Sequence, residues 1–325
     1  MGRSSRSAGA RRYARRVSRR LAAVPGVTLV ALAAAMWGTD ALFRRPLAQS
    51  TSAGTIVFGE HVVLVAITLP LLVVSLREVF AAGPRYVLAA IGVGAGASAV
   101  ATILFTQAFV HGDPITPVVL QKVQPLIVVI AARIVLGEEP RRRFAWFLLP
   151  ALVGVWLIAF PDPTDVHARG MAPIALALGA ASLWGLGTVF GRFLMRRVSF
   201  EHVTTLRFAF GLVASAIALP LLGAPAYAGA HDSLWIAYLA LVTGLAALTL
   251  YYYGLHKTPA ILASLAELAY PVTAGIVGYV AFGAELRWSQ WLGVAVVAVV
   301  VMLLPTRPRR EMVKLPAVDA QLAPA

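Results

Sequence analysis

The chain has 325 residues, of which 59% are hydrophobic and only 13% charged, with a mean hydropathy of +0.80 and a formal net charge of +14. A water-soluble domain needs about 25% charged residues to cover its surface, so this composition excludes one and implies that lipid solvates most of the chain. Eight arginines crowd the first twenty residues and most other basic residues fall between apolar runs, a placement that orients a membrane protein rather than binding nucleic acid; the lack of cysteine excludes disulfides and thiolate metal sites.

In chain order, residues 1–22 read as an Arg-rich cytoplasmic tail, disordered in water and facing anionic lipid headgroups. A helix takes roughly 20 apolar residues to cross the hydrocarbon core. Ten spans are predicted, at 24–43, 55–76, 86–109, 115–136, 144–160, 170–191, 201–222, 233–256, 260–282 and 288–305. Their breaks are Gly83-Pro84-Arg85, Gly112-Asp113-Pro114, Gly137 to Arg143 and Pro161 to Arg169. The runs are apolar all round, without the alternation of barrel strands, so the fold class is all-α integral membrane. Residues 306–325 read as a second cytoplasmic tail. Residues 15–36 also resemble a secretory signal, with Ala33-Ala34-Ala35 as a cleavage site and Ser18-Arg19-Arg20 as a twin-arginine hint. The repeat described below favours retention of this segment.

With the N-terminus in the cytoplasm, 21 Lys and Arg residues fall inside and 4 outside, the latter being Arg44, Arg45, Arg169 and Arg287. Lys122, Arg133 and Arg207 lie within spans. This asymmetry predicts a multi-pass protein of the plasma (inner) membrane with both termini cytoplasmic.

The two halves repeat. Residues 106–139 match the segment 146 positions later, so that Pro125 falls on Pro271, Gly137 on Gly283 and Glu139 on Glu285; a shift of 147 sets Trp37-Gly38 on Trp184-Gly185. The predicted repeats are 23–161 and 162–305. Five spans per repeat is an odd number, so the second repeat enters from the opposite side. Such inverted repeats are the common basis of alternating access, with a solute site between them.

The paired WG of spans 1 and 6, the mid-span proline of spans 4 and 9 and the LGEE/FGAE turns resemble those of EamA-type members of the drug/metabolite transporter superfamily, over roughly residues 24–305. The resemblance implies a ten-helix carrier with a central cavity formed by spans 1–4 and 6–9, and spans 5 and 10 at the periphery. Many members carry Glu directly before the span-9 proline. Here Tyr270 stands in that place, Gln124 in the first repeat, and the carboxylate is at Glu267.

Polar groups at membrane depth are costly and therefore functional candidates. Gln121 and Gln124 share one helix face, as do their repeat equivalents Glu267 and Tyr270, and Pro125 and Pro271 break the helix beside each pair. The pairs read either as cavity lining or as interhelical hydrogen bonds. Lys122 reads either as the partner of an anionic group or as a side chain snorkelling outward. Trp37 and Trp184 read either as cavity-lining aromatics or as packing and interface anchors, and with Gln107 and Glu60 they complete the cavity candidates. Glu60 with His61 reads as a proton-linked gate or as an ion pair, and Asp40 as a local salt bridge to Arg44. Arg207 is placed within reach of the cytoplasmic face. Tyr251, Tyr252 and Tyr253 cannot share one face, and Gly92, Gly94 and Gly96 read as close helix packing.

The sequence holds no Walker-type phosphate loop, no metal-ligand spacing among its six histidines and no nucleophile–base pattern. The expected activity is secondary transport of a small metabolite or drug-like solute, with a proton as candidate coupling ion and no catalytic residue, cofactor, metal or nucleic-acid partner. An intramembrane enzyme and a non-transporting scaffold are the alternatives.

Overall fold

In lipid a backbone must satisfy its own polar groups, and the described residues do so as helices, with no strand among them. The structure is a computed structural model that describes residues 23–111, 120–140, 142–160, 162, 171–283 and 285–306. The expectations for the two tails, for Gly112-Asp113-Pro114, for Arg141 and for Arg169 lie outside these residues.

Seven stretches are long and apolar enough to cross a membrane: Gly26–Ser50, Ala53–Ala82, Pro84–Ala108, Met171–Leu194, Phe200–Leu221, Ala230–His256 and Ala260–Phe282. Shorter helices stand at the fourth, fifth and tenth predicted spans, Gln124–Val135, Phe144–Ala159 and Trp288–Leu303. The first span departs from the expected continuous run over 24–43. Helix α1 (Gly26–Trp37) ends in a turn at residues 38–40, and α2 (Ala41–Ser50) follows. The backbone amides of Thr39 and Asp40 bond back three residues, to Met36 and Trp37, and the Thr39 hydroxyl takes the Met36 carbonyl at 2.7 Å. These bonds tighten the chain out of the α register.

The helices that follow are α3 (Ala53–Ala82), α4 (Pro84–Ile91, continuing as a π-helix over Gly92–Val100 and as Ala101–His111), α5 (Gln124–Val135), α6 (Phe144–Ala159), α7 (Met171–Leu194) and α8 (Phe200–Leu221). Then come α9 (Ala230–Leu239, a π-helix over Ala240–Ala246, then Ala247–His256), α10 (Ala260–Ala266), α11 (Ala269–Phe282) and α12 (Trp288–Leu303). Helices α3 and α8 open alike. Ser52 Oγ accepts from the Thr55 amide at 3.2 Å and Ser199 Oγ from the His202 amide at 3.4 Å, so each start has its cap, a contribution of about 1 kcal/mol apiece.

Helix pairs come in matched sets. Helix α3 packs on α8 and α6 on α12; α1 packs on α9 and α11 as α7 packs on α4 and α5. The core between them is apolar, with Leu29, Val30, Leu206, Phe208 and Leu255 fully buried. Leu69, Ile134, Trp146, Ile217 and Val280 are exposed, an apolar exterior that suits lipid rather than water. One end of the bundle is tied by Glu138, which accepts from the Ala260 and Ile261 amides at 3.0 and 3.1 Å, and by Arg196 on the Leu136 carbonyl at 2.7 Å. Glu78 meets His202 at that same end.

The peripheral pair α6 and α12 touches through Gly154 and Gly293. A Cβ on Gly293 would lie 2.4 Å from the Gly154 carbonyl oxygen and 2.8 Å from the Ile158 amide nitrogen. Both are backbone atoms that cannot turn away. Gly293→Val is expected to lower stability by about 1–3 kcal/mol, read as a lower melting temperature of the purified protein. An unchanged melting curve contradicts this packing.

Candidate functional site

Besides the turn at residues 38–40, the spans depart from α-helical geometry in four places among the described residues, and polar groups collect there. Gln121–Val123 form a 3-10 turn running into α5, with Pro125 in its first turn. Helices α10 and α11 are separated by Glu267 and Leu268, with Pro271 in the first turn of α11. A ring without an N–H leaves a carbonyl of the preceding turn free and lets the helix loosen. The π-helical segments of α4 and α9 are the other two, and π turns recur at functional sites. Each turns a carbonyl on to the other half: Ala97 oxygen accepts from Arg207 at 3.3 Å and Thr243 oxygen from Trp37 Nε1 at 3.0 Å. Ala97 and Thr243 are 146 positions apart, the spacing of the sequence repeat.

A cavity of about 220 Å³ lies among these segments. Two aromatic pairs stand in its lining, beside Tyr270. Trp37 of α1 meets Tyr251 of α9 with ring centroids 5.1 Å apart, and Trp184 of α7 meets Phe105 of α4 at 5.0 Å. Trp184 follows Trp37 by 147 positions and Tyr251 follows Phe105 by 146, so the pairs are repeat equivalents, each joining one half to the other. The glycine after each tryptophan explains the WG doublet. A Cβ on Gly38 would lie 2.8 Å from the Tyr270 carbonyl oxygen, and one on Gly185 3.4 Å from that of Gln124. The tryptophan lines the cavity while the glycine lets the opposite proline helix come close. The packing read into Gly94 is likewise present, its Cβ position lying 2.5 Å from Phe210 Cβ.

Glu267 sits in the gap between α10 and α11 and gathers donors from three elements. Gln124 Nε2 donates to Oε2 at 2.6 Å, and the Tyr251 and Thr188 hydroxyls donate to Oε1 at 2.8 and 3.3 Å. Gln124 thus bonds across the repeats to Glu267 rather than standing beside its own equivalent Tyr270. Lys122 is 6% exposed and lines the cavity. It does not snorkel: its Nζ lies 4.3 Å from the Tyr270 ring centroid and donates to Gln121 Oε1 at 3.3 Å.

Another part of the lining is ionic. Arg44 is held by Asp40 at 2.5 and 3.0 Å and by Glu60 at 2.8 Å, and the Thr243 hydroxyl also donates to Asp40, at 3.2 Å. The local Asp40–Arg44 pair is therefore present, extended to Glu60. Glu60 does not pair with His61, whose Nδ1 instead lies 2.7 Å from the Val57 carbonyl and Nε2 3.0 Å from Ser98 Oγ. A carbonyl only accepts, so Nδ1 carries a proton, and in the neutral ring Nε2 accepts from Ser98. Arg207 corrects the sequence reading more strongly. It does not reach for the end of its helix but turns into the cavity, donating to Ser98 Oγ at 3.3 Å, Tyr252 OH at 3.1 Å and Ala97 oxygen. The residue 147 positions before it is Glu60, so registering the repeat through the matched serine caps would have placed it.

Of the expected residues, Trp37, Glu60, Gln121, Lys122, Gln124, Trp184, Glu267 and Tyr270 are brought to this one cavity, and Gln107, on the last turns of α4, is not among its lining. Phe105, Ser98, Thr188 and Arg207 line it without having been singled out as cavity residues. Of the three tyrosines, Tyr251 lines it, Tyr252 is buried behind it and Tyr253 packs on Phe200.

A polar, aromatic-walled cavity inside an all-helical, lipid-facing protein is the construction of a membrane carrier. The chain belongs to the EamA-like transporter family, whose sequence profile matches residues 24–160 and again 171–306, one match to each half. It is a transporter and not an enzyme. It is 28% identical over 291 residues to the riboflavin transporter ImpX of Fusobacterium nucleatum subsp. nucleatum, covering 82% of this chain and 93% of that one. It is 26% identical over 295 residues to the uncharacterized transporter YwfM of Bacillus subtilis (strain 168), covering 87% and 94%. A solved crystal structure with 20% identity superposes with a TM-score of 0.65 over 85% of this chain and 94% of that one, a likeness of fold.

Proposed function

We propose that this protein is a secondary transporter that carries a planar aromatic solute by alternating access between two inverted five-span repeats, 23–161 and 162–305. The observation that carries this reading is the symmetric pair of aromatic contacts, Trp37–Tyr251 and Trp184–Phe105, each spanning the two halves. Exchanging the conformations of the halves exchanges the two pairs, so a flat ring held between them meets similar walls in either state. The matched helix pairs, serine caps and carbonyl-exposing π segments support the same symmetry. The name of the relative ImpX makes riboflavin the first ring system to test. Glu267 is the candidate coupling site, its carboxylate being bonded by three neutral donors from three other elements.

Binding is tested on purified protein by riboflavin-dependent thermal stabilisation, since a ligand that favours the folded state raises its melting temperature. The reading expects stabilisation by riboflavin or a close flavin analogue that is reduced at least about tenfold in apparent affinity by Trp37→Leu with Trp184→Leu, in line with stacking losses of about 1.5 kcal/mol. Equal stabilisation of the double variant contradicts it.

The basic residues predict termini on the cytoplasmic side of the plasma membrane. The chain has no cysteine, so a Ser7→Cys variant has no labelling background. An impermeant maleimide applied to intact cells is expected to leave it unlabelled, and labelling reverses the orientation.

A further inference from the structure

The charges in the cavity are not matched one to one. Its acids are all engaged: Asp40 and Glu60 share Arg44, and Glu267 is held by Gln124, Tyr251 and Thr188. Two of its bases are not. Neither Lys122 nor Arg207 forms a salt bridge with any carboxylate among the described residues. Lys122 is 6% exposed and rests on an aromatic face and one amide oxygen. Arg207 rests on a hydroxyl, a phenol and a carbonyl. Lys122 is buried and Arg207 half-buried; the Glu267 charge reaches Lys122 without a direct bond, and Glu267 is already bonded by its three donors. Cations so placed are costly, and in a cavity that cost is offset when an anion enters. Each position is also particular to one half. The repeat equivalent of Lys122 is Leu268, and that of Arg207 is the acid Glu60, so symmetry alone does not require the bases.

We propose that the solute is an aromatic organic anion, whose ring lies between the Trp37 and Trp184 pairs and whose carboxylate or phosphate group is met by Lys122, with Arg207 as the second cation. This deepens the transporter reading and rests on it. Glu267 lies on the Lys122 side, and its three donors spread its charge, leaving Lys122 free to turn to the ligand.

The test uses two matched pairs of probes on the full purified chain: riboflavin against riboflavin 5′-phosphate, and tryptophol against indole-3-acetate. Apparent affinity is read from ligand-dependent thermal stabilisation in wild type, Lys122→Gln and Lys122→Arg, beside a melting curve of each variant without ligand. The proposal expects the anionic member of at least one pair to bind about 30-fold more tightly than its neutral partner. The flavin pair reports a preference for phosphate and the indole pair one for carboxylate. The preference is expected to disappear in Lys122→Gln and to persist in Lys122→Arg, while the unliganded melting curves stay close to wild type. Neutral members binding as well as anionic ones in both pairs, no stabilisation by either anion, or a preference retained in Lys122→Gln overturns it. Riboflavin flux in proteoliposomes is a separate readout, so transport of the neutral flavin with no anion preference defeats this inference and leaves the transporter reading standing.

Discussion

Replacing Glu267 by Gln is expected to lower solute flux about 100-fold, the equivalent of about 2.7 kcal/mol, while the melting temperature stays close to that of the wild type. The geometry separates the two effects. Gln keeps the size of the side chain, and its amide oxygen still accepts from Tyr251 and Thr188, now 2.8 and 3.3 Å from Oε1. Gln124 turns its amide over to meet the new NH2 group, since either end of an amide serves. What is lost is the charge and the ability to take and release a proton. Flux measured at two external pH values should therefore become independent of pH in the variant. Glu267→Ala differs: it strands the donors of Gln124, Tyr251 and Thr188 and should also destabilise the protein, by about 3 kcal/mol. A wild-type rate and pH profile in Glu267→Gln would reduce the residue to a bond between helices.

The second large effect is expected at Arg44, and it falls on stability. Among the described residues this guanidinium is the one cation paired with Asp40 and Glu60, whose side chains are 22% and 11% exposed. Arg44→Ala leaves two carboxylates facing each other in a poorly hydrated wall, a loss of about 3 kcal/mol and a fall in melting temperature on the order of 10 °C. Removing the acids together with the base, as Asp40→Asn and Glu60→Gln in the Arg44→Ala background, should recover most of the loss, because the penalty is the uncompensated charge and not the missing contact. A single variant as stable as the wild type would mean that the triad contributes nothing to the fold.

What the sequence made legible was the repeat and its landmarks. Proline, glycine and tryptophan have geometric consequences that survive translation into structure. Pro125 and Pro271 stand where helices loosen, and Gly38 and Gly185 stand where helices touch. Less legible was which way a polar side chain turns. Arg207 lies within a span and reads as reaching for the cytoplasmic face, yet its partners Ala97 and Ser98 lie on a π segment that apolar composition does not announce. Glu60 and His61 are neighbours in sequence, but adjacent positions on a helix point about 100° apart, so one joined Arg44 and the other Ser98. The turn after Trp37 was hidden for a similar reason. The Gly38-Thr39-Asp40 interruption is too short to divide the apolar run over 24–43, and the backbone bonds of Thr39 and Asp40 that end α1 are not read from composition.

The central claim is that this cavity carries an aromatic solute from one side of the membrane to the other, and counterflow tests it most directly. Proteoliposomes of the full chain are preloaded with unlabelled riboflavin or riboflavin 5′-phosphate and diluted into a trace of the same labelled flavin. Alternating access predicts a transient, saturable accumulation of label above its equilibrium level for at least one of the two, lost in the Trp37→Leu, Trp184→Leu double variant. Label that never exceeds the level in protein-free liposomes with either flavin would contradict the account.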